Sequence, residues 1–272
     1  MKSFVANGKT KLSKFLLDAY DGELSFSVLN KLLRKKDVKV DGVRVSKDVW
    51  LYGGETVVVY YDGQIVRGDY KTVYSDDNVL VVIKPKGITS EKFYERLNCD
   101  GNVYFCHRLD RNTDGVMIFA KNEKAYQELV NGFKKRTFEK IYLAKVYGVV
   151  KPETAVLSDY LFKDSKNSIV TITEKTVKGS VPVVTEYSVM KTDGETSLLK
   201  VKLITGRTHQ IRAHLAFYGH FVLGDGKYGV EEINRRLKVK ETALSAVSLT
   251  LRFNKDEFLY YLDGKSFSYN PD

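Results

Sequence analysis

The chain has 272 residues, 43% of them hydrophobic, a length that suits one large or two modest domains with enough apolar content to bury a real core. Its only cysteines are Cys99 and Cys106, which excludes a disulfide framework and fits a reduced cytosol; no secretory signal follows the opening Met-Lys-Ser-Phe-Val and no apolar run reaches membrane-spanning length, so the expectation is a soluble cytoplasmic protein without a membrane partner. A net charge of +10 favours a polyanionic partner over an acidic small substrate.

In chain order, Leu12, Phe15, Leu16 and Ala19 recur at helical spacing, and Val28, Leu29, Leu32 and Leu33 repeat the pattern. Asn30, Lys31, Arg34 and Lys35 fall on the other face of that second helix. Lys36 and Lys39 lead into Val38–Val45, two alternating runs about Asp41-Gly42, which is a hairpin signal. Thr56 to Tyr61 reads as a β-branched and aromatic strand. Residues 9–62 are therefore expected to form a small helix-rich domain with its cations on one helix face and the hairpin. Residues 62–69, with two glycines and little periodicity, read as a linker.

From residue 70 to 270 strands dominate. Val79–Ile83 ends at Lys84-Pro85-Lys86-Gly87, where proline and glycine force a turn. Gly115–Ala120 is another strand. Asn122 can cap a helix bearing Ala125, Tyr126, Leu129, Val130 and Phe133 on one face. Lys140–Val150, Val181–Met190, Ser197–Ile204 and Ala246–Phe253 follow as strands. Few helices alternate with them, so the fold class is α+β with a mixed or antiparallel sheet. No phosphate-cradling loop and no Gly-x-Gly-x-x-Gly occurs, and no nucleotide cofactor is expected.

Two stretches carry chemistry. In His107-Arg108-Leu109-Asp110-Arg111-Asn112-Thr113-Asp114-Gly115 a carboxylate sits between two arginines. Guanidinium groups hold a nearby carboxylate ionised, which suits a nucleophile or base and not a general acid; the bland alternative is a surface salt bridge. In Gly206-Arg207-Thr208-His209-Gln210-Ile211-Arg212-Ala213-His214, Arg212 is placed one to two turns into a helix. Ile211, Leu215 and Tyr218 form its expected buried stripe, with Arg212 beside it and able to reach inward. Free N–H groups at the helix start, with Arg207 and Thr208, are candidates to meet a phosphate. His107, His209, His214 and His220 lack the spacing of a metal site, and no nucleophile elbow is present. Tyr142, in a strand with alternating faces, is either core packing or a ring against which a base stacks.

With His-Arg-Leu-Asp followed by Thr-x-Gly, Lys-x-Tyr-x-Ala, Gly-Arg-Thr-His-Gln-Ile-Arg-x-His and Leu223-Gly224-Asp225-Gly226-Lys227-Tyr228-Gly229 in this order, residues 9–254 resemble an RluA-type pseudouridine synthase carrying an N-terminal domain like that of ribosomal protein S-four. The resemblance implies an RNA isomerase turning uridine into pseudouridine, without cofactor or metal, on a mixed sheet with a central cleft. It implies Asp110 as the catalytic aspartate, Arg212 as its ion-pair partner, Tyr142 stacking on the uracil and later assisting proton removal, and Arg108 filling the space of the flipped base. The N-terminal domain would then present Lys31, Arg34, Lys35, Lys36 and Lys39 to structured RNA, ribosomal RNA in preference to transfer RNA. A monomer is the default. Two positions depart from the family pattern: Asp114 stands where serine is usual, and Ser245 where histidine is common. On the residues alone, Asp114 is either a local repulsion toward RNA or a turn cap. A non-catalytic RNA-binding protein of the same fold and a hydrolase using Asp110 with a histidine remain open.

Overall fold

The computed structural model describes residues 1–20, 24, 26–60, 70–98, 103–164 and 169–271, with residues 26–28, 31 and 164 described by backbone only. The expected linker at 62–69 and Cys99 lie outside the described residues. The chain divides into two compact units, one of residues 1–69 and 94–102, the other of residues 70–93 and 103–272. No helix among the described residues is long and apolar enough to cross a membrane.

The smaller unit runs β1 (Lys2–Val5), β2 (Thr10–Lys11), α1 (Leu12–Ala19), α2 (Phe26–Lys35), β3 (Val38–Val40), β4 (Val43–Val45), β5 (Trp50–Leu51) and β6 (Thr56–Val59). The helical periodicity is realised: Leu12 and Leu16 of α1 and Leu29, Leu32 and Leu33 of α2 are buried in one core with Val38, Val57 and Val59. Asp41 and Gly42 adopt left-handed φ values of 48° and 79°, the backbone a two-residue hairpin turn needs, and Val38–Val40 pairs with Val43–Val45 across it. Three strands have no counterpart in the sequence reading. β1 opens the sheet order β1-β6-β3-β4, and β2 pairs with β5 as a separate ribbon; two-residue strands carry no readable period.

The larger unit contains β7 (Lys71–Ser75), β8 (Val79–Lys84), α3 (Ser90–Leu97, continuing past Phe93), β9 (Tyr104–Phe105), β10 (Asp114–Ala120), α4 (Glu123–Lys135), β11 (Glu139–Tyr147), β12 (Thr154–Asp164), β13 (Ile169–Thr173), β14 (Val181–Thr192), β15 (Thr196–Leu203), α5 (Gln210–Phe217), α6 (Glu231–Arg236), β16 (Leu244–Thr250) and β17 (Ser266–Ser268). Its sheet has the order β13-β12-β14-β15-β11-β16-β10-β8-β7. β10 and β16 run parallel, while β11 is antiparallel to both β15 and β16, so the sheet is mixed. Asn122 caps α4 by accepting from the Ala125 N–H at 2.9 Å. Ala125 and Leu129 pack with Val79, Val81, Val116 and Ile118 in one core, against which Phe133 also packs, and Ala213 of α5 packs with Leu161, Val170, Ile172 and Val183 in another.

Several boundaries differ from expectation. β11 stops at Tyr147 and not Val150, where Gly148 turns at φ 85°. β16 covers Leu244–Thr250 in place of 246–253. β12 is hard to see in the sequence because its inward positions are Leu157, Asp159 and Leu161; a buried aspartate breaks the apolar alternation that marks a half-buried strand.

Gly115 is where β10 and β16 meet. Its φ is +126°, and a Cβ there would lie 2.1 Å from the Ala246 carbonyl oxygen, which is backbone and cannot swing away. Gly115→Ala is therefore expected to lose at least about 3 kcal/mol of stability. Gly226→Ala, with open space around the added carbon, should stay within about 0.5 kcal/mol. Urea midpoints at constant m-value check this, and equal midpoints for the two variants would refute the close-approach reading.

Candidate active site

A cavity of about 520 Å³ is lined by residues of the larger unit, including Asp110, Tyr142, Arg212, Arg108 and Arg207, a volume in the range of small-ligand sites. The middle strands β11 and β16 contribute Tyr142 and Leu244, and Phe133 near the end of α4 and Arg212 near the start of α5 also line it.

The turn carrying Asp110 is fastened on both sides. Ser90 Oγ donates to the Leu109 carbonyl at 2.8 Å and accepts the Leu109 N–H at 2.9 Å. On the other side the Lys84 ammonium, fully buried, donates to the carbonyls of Pro85, Ile88 and Arg111 at 2.8, 3.0 and 3.3 Å. Gly87 N–H also donates to the Arg111 carbonyl at 2.9 Å. Burial lowers the Lys84 pKa to about 8, against the opposing pull of Asp114 and Asp110. In the sequence Lys84 marks only a turn; a lysine ending an apolar strand is the available signal.

Asp110 is not held by its sequence neighbours. Arg108 pairs with Glu91 at 3.1 Å on the surface, and Arg111 Nε donates to the Gly87 carbonyl at 3.0 Å. Its partner is Arg212, whose Nη1 donates to Asp110 Oδ2 at 3.0 Å. Among the described residues this is the only hydrogen bond to the Asp110 side chain, so Oδ1 is left unengaged. The same guanidinium grips Asp225 with two further donors, Nε to Oδ2 at 2.7 Å and Nη2 to Oδ1 at 2.8 Å. Asp225 is fully buried and accepts the N–H groups of Lys227 at 2.8 Å and Tyr228 at 3.3 Å. Burial works against the Arg212 charge, but hydrogen bonds and charge from Asp225 and then Asp110 outweigh it and push its pKa up. Burial likewise works against the Asp225 charge, and Arg212 overcomes it, leaving the carboxyl below its ordinary range. Sequence reasoning assigns Asp225 no role beyond its motif; its signal is an acid flanked by glycines, which alone does not separate a turn from an ion pair.

α5 starts later than expected. Its first residue is Gln210, and His209 before it takes a left-handed φ of 53°. Arg212 thus lies in the first turn, and residues Gln210 to Leu215 are all buried while Tyr218 is 45% exposed, so there is no single stripe ending at Tyr218. The helix start is not a free anion site either: the Arg207 N–H already donates to Gln210 Oε1 at 3.1 Å. The Arg207 and Thr208 side chains still line the cavity, joined by Lys134, Arg136 and Lys140, three cations that sequence reasoning does not single out.

Tyr142 is buried but faces the cavity. Burial, and secondarily the charge of Asp110, push its pKa up, so it stands there as a phenol. The four histidines are engaged structurally. His214, fully buried, bridges Asp159 and Thr185 at 2.9 Å each; His209 pairs with Tyr228 at 2.9 Å; His220 Nδ1 lies 3.1 Å from the Tyr147 carbonyl. Asp114, neither an exposed repulsive charge nor a turn cap, is buried at the start of β10. It accepts from Ser245 Oγ at 2.7 Å and Tyr269 OH at 2.9 Å, with the Lys86 ammonium at 3.8 Å. In the smaller unit, Arg34, Lys35 and Lys36 are exposed and Lys39 half-buried; the Lys31 side chain lies outside the described residues.

His107 sets a pH limit on stability. Its Nε2 accepts the Ile118 N–H at 3.0 Å and its ring stacks on Phe133 at 4.3 Å. Burial, then the charge of Lys140, lowers its pKa from 6.5 to about 3. The folded protein therefore binds fewer protons than the unfolded chain between these values. The contribution is complete above pH 6.5 and is lost as the pH falls toward 3. His107→Gln keeps an acceptor that does not titrate, so its urea midpoint should fall less steeply than wild type over this window. Parallel curves would remove His107 from the acid response.

Residues 78–217 match the family model described as RNA pseudouridylate synthase. A ribosomal large subunit pseudouridine synthase C from Rickettsia conorii is 30% identical over 257 residues, covering 82% of this chain and 84% of the relative. A mitochondrial tRNA pseudouridine(32) synthase from Saccharomyces cerevisiae is 34% identical over 240 residues, covering 83% of this chain and 51% of the relative. Among solved structures, human RNA pseudouridylate synthase domain containing 1 superposes with a TM-score of 0.61 at 26% identity, covering 75% of this chain and 90% of that one. With its motifs, its mixed sheet and the match over half its length, the chain belongs to the RNA pseudouridylate synthase family, in the RluA group.

Proposed function

We propose that this RNA pseudouridine synthase isomerises uridine in structured RNA, ribosomal RNA in the first place, with Asp110 as the reacting carboxylate, Arg212 as its positioning partner and Tyr142 as the face that receives the uracil. The carrying observation is the one-sided grip on Asp110: Arg212 holds Oδ2 and leaves Oδ1 to the cavity that Tyr142 lines. The reaction breaks the bond from ribose C1′ to uracil N1 and forms one from C1′ to C5. The C5 proton must leave and N1 must gain one. An anchored carboxylate with a free oxygen serves each route by which this can begin: attack on the sugar, attack on the ring, or removal of a sugar proton. All three need the base out of its stack, at a cost of a few kcal/mol, and Tyr142 offsets part of it by stacking, worth roughly 1–3 kcal/mol per base.

Tyr142 also fits the closing step. Its phenol is kept protonated by burial and by the Asp110 charge; neutralising Asp110 by covalent attachment or protonation removes the second of these causes and makes the phenolate, the form able to take the C5 proton, easier to reach. Arg108, exposed and, among the described residues, paired only with Glu91 on the surface, can swing into the gap left by the flipped base. Arg207 with Lys134, Arg136 and Lys140 would meet the flanking phosphates. The preference for ribosomal RNA rests on the activity named for the Rickettsia relative and on reading residues 9–62 as an S-four-like RNA-binding domain, whose basic face is Lys31, Arg34, Lys35, Lys36 and Lys39. Residues 70–270 are the catalytic domain on this reading, and the protein acts as a monomer in the cytoplasm.

Asp110→Asn is expected to abolish pseudouridine formation while RNA affinity stays within about three-fold, because an isosteric amide spares the phosphate contacts. Turnover near wild type in a mass or tritium-release assay would remove Asp110 from the mechanism, and cleaved RNA as product would favour a hydrolase. Arg212→Lys should lower kcat with little change in KM, since an ammonium cannot grip Asp225 with two donors and still aim a third at Asp110. The RNA class is tested by mapping pseudouridines in cells with and without the protein; loss confined to transfer RNA would overturn the ribosomal assignment.

The basic face is tested separately. Replacing Arg34, Lys35, Lys36 and Lys39 by alanine should flatten the log–log salt dependence of RNA binding by roughly 0.7 for each single-strand phosphate that is no longer neutralised. An unchanged slope would leave this face as a solvated helix and hairpin.

A further inference from the structure

The chain has a single tryptophan, and it is not in a core. Trp50 is 49% exposed and Tyr52 is 67% exposed, while Leu51 between them is fully buried. Alternation along an extended chain therefore puts both rings on one outward side of β5. Lysines from the facing strand segment stand over them. Lys11, paired with Trp50 in register, holds its ammonium 4.9 Å from the Trp50 ring centre. The Lys9 ammonium lies 5.6 Å from Trp50 and 5.7 Å from Tyr52.

The backbone beneath the rings is held firmly. The Glu55 carboxylate accepts the N–H groups of Tyr52 and Gly53 at 2.7 Å each. Gly53, at φ +110°, backs onto Gly8 so closely that a Cβ would sit 3.3 Å from the Gly8 backbone. Upstream, the Asp48 carboxylate accepts from both the N–H and the hydroxyl of Ser13 at 2.9 Å, and the Leu12 N–H donates to the Val49 carbonyl at 2.8 Å. A segment anchored at both ends thus presents two large rings to solvent, where they bury little apolar area for the fold. Such pre-organised aromatics lower the ordering cost of binding.

We propose that Trp50 and Tyr52, with Lys9 and Lys11, form a stacking platform for an unpaired segment of RNA. Every base has an open π-face that an exposed ring can cover without reading sequence, and lysines beside the rings suit the phosphates that link successive bases. Duplex RNA hides those faces, so a single strand is the fitting occupant. The inference rests on RNA being the substrate and not on the basic face of α2 and the β3–β4 hairpin.

The sole tryptophan is its own reporter. The full chain is titrated with a single-stranded oligouridylate and, separately, with duplex RNA of the same length, following Trp50 emission. The single strand should quench it and the duplex should not. Trp50→Ala with Tyr52→Ala should weaken oligouridylate binding by about five-fold or more for each base released and leave the salt slope unchanged, because stacking displaces no counterions. Lys9→Ala with Lys11→Ala should flatten the slope by roughly 0.7 per phosphate contact, and Trp50→Phe should keep most of the affinity. Unchanged emission while a labelled oligouridylate binds would overturn the proposal. So would wild-type affinity in the double aromatic variant together with a lowered melting temperature, which would mean that the ring–lysine contacts only brace the ribbon. Pseudouridine formation is measured on the same proteins, so a chain that binds RNA but does not isomerise it fails the catalytic reading and leaves the platform standing.

Discussion

Arg212 joins two carboxylates that differ in freedom, and the site depends on that difference. Asp225 is fully buried and bound by two guanidinium donors and two backbone N–H groups. Two parallel donors fix the plane of a guanidinium as well as its position. Once that plane is fixed, the direction of the remaining Nη1 donor is fixed too, and Asp110 Oδ2 lies on it at 3.0 Å. The Asp110 carboxylate is thus aimed by a residue it does not touch. Removing one member of such a buried arrangement costs roughly 3–5 kcal/mol, because the others are left as uncompensated charges. Stability and alignment are therefore tied to the same three side chains, Asp110 from a loop 102 positions before Arg212 and Asp225 from a loop 13 positions after it.

Holding Arg212 in place requires its helix to be held. Gln210 donates from Nε2 to the Val184 carbonyl and to Thr185 Oγ1 at 3.0 Å each, and accepts from Thr205 Oγ1 at 2.7 Å. His214 continues the chain from Thr185 to Asp159, which also accepts from Tyr218 at 2.8 Å. These buried polar groups are satisfied by one another, which makes them specific: a shift of α5 would orphan several at once. The turn bearing Asp110 is pinned independently through Ser90 and Lys84. The two halves of the ion pair are therefore each fastened to the β-sheet framework before they meet, and little reorganisation is left for the moment of reaction.

Periodicity exposes what has a period. α1, α2 and α4 are legible because their apolar residues recur at helical intervals, and α4 and the strand β8 also because Asn122 or Pro85 and Gly87 mark an end. β12 is hidden by buried Asp159, and the start of α5 is displaced because buried Gln210 and His214 look like surface residues in a sequence. Polar residues inside a protein mislead for a physical reason: their partners lie far along the chain, and no window of sequence contains both. The same cause explains the site. Asp110 and Arg212 are nameable from motifs, yet the sequence points Asp110 toward Arg108 and Arg111, its nearest cations. It leans instead on a guanidinium 102 positions away. Lys84 and Asp225 go unassigned for a different reason: Lys84 binds backbone carbonyls, which leave no mark in a sequence, and Asp225 meets Arg212 only 13 positions away, across a turn that no periodicity reveals.

The two positions at which the sequence reading expects other residues illustrate this in miniature. In the sequence Asp114 and Ser245 stand apart, one a stray charge and one a missing histidine. In the fold they are cross-strand partners on the parallel pair β10–β16, and Ser245 Oγ donates to Asp114 Oδ1 at 2.7 Å. Tyr269 donates to the other oxygen, and Lys86 supplies a cation at 3.8 Å. A buried carboxylate is tolerated when its lone pairs are used and a positive charge is near; both conditions are met. A histidine at 245 would bring a much larger ring to the place where this hydroxyl now meets Oδ1, so the small residue and the acid belong together. What look like two unrelated positions in the sequence are one interaction. It lies beside Gly115, where β10 and β16 approach most closely, and so acts on the strand pair directly behind the turn that carries Asp110.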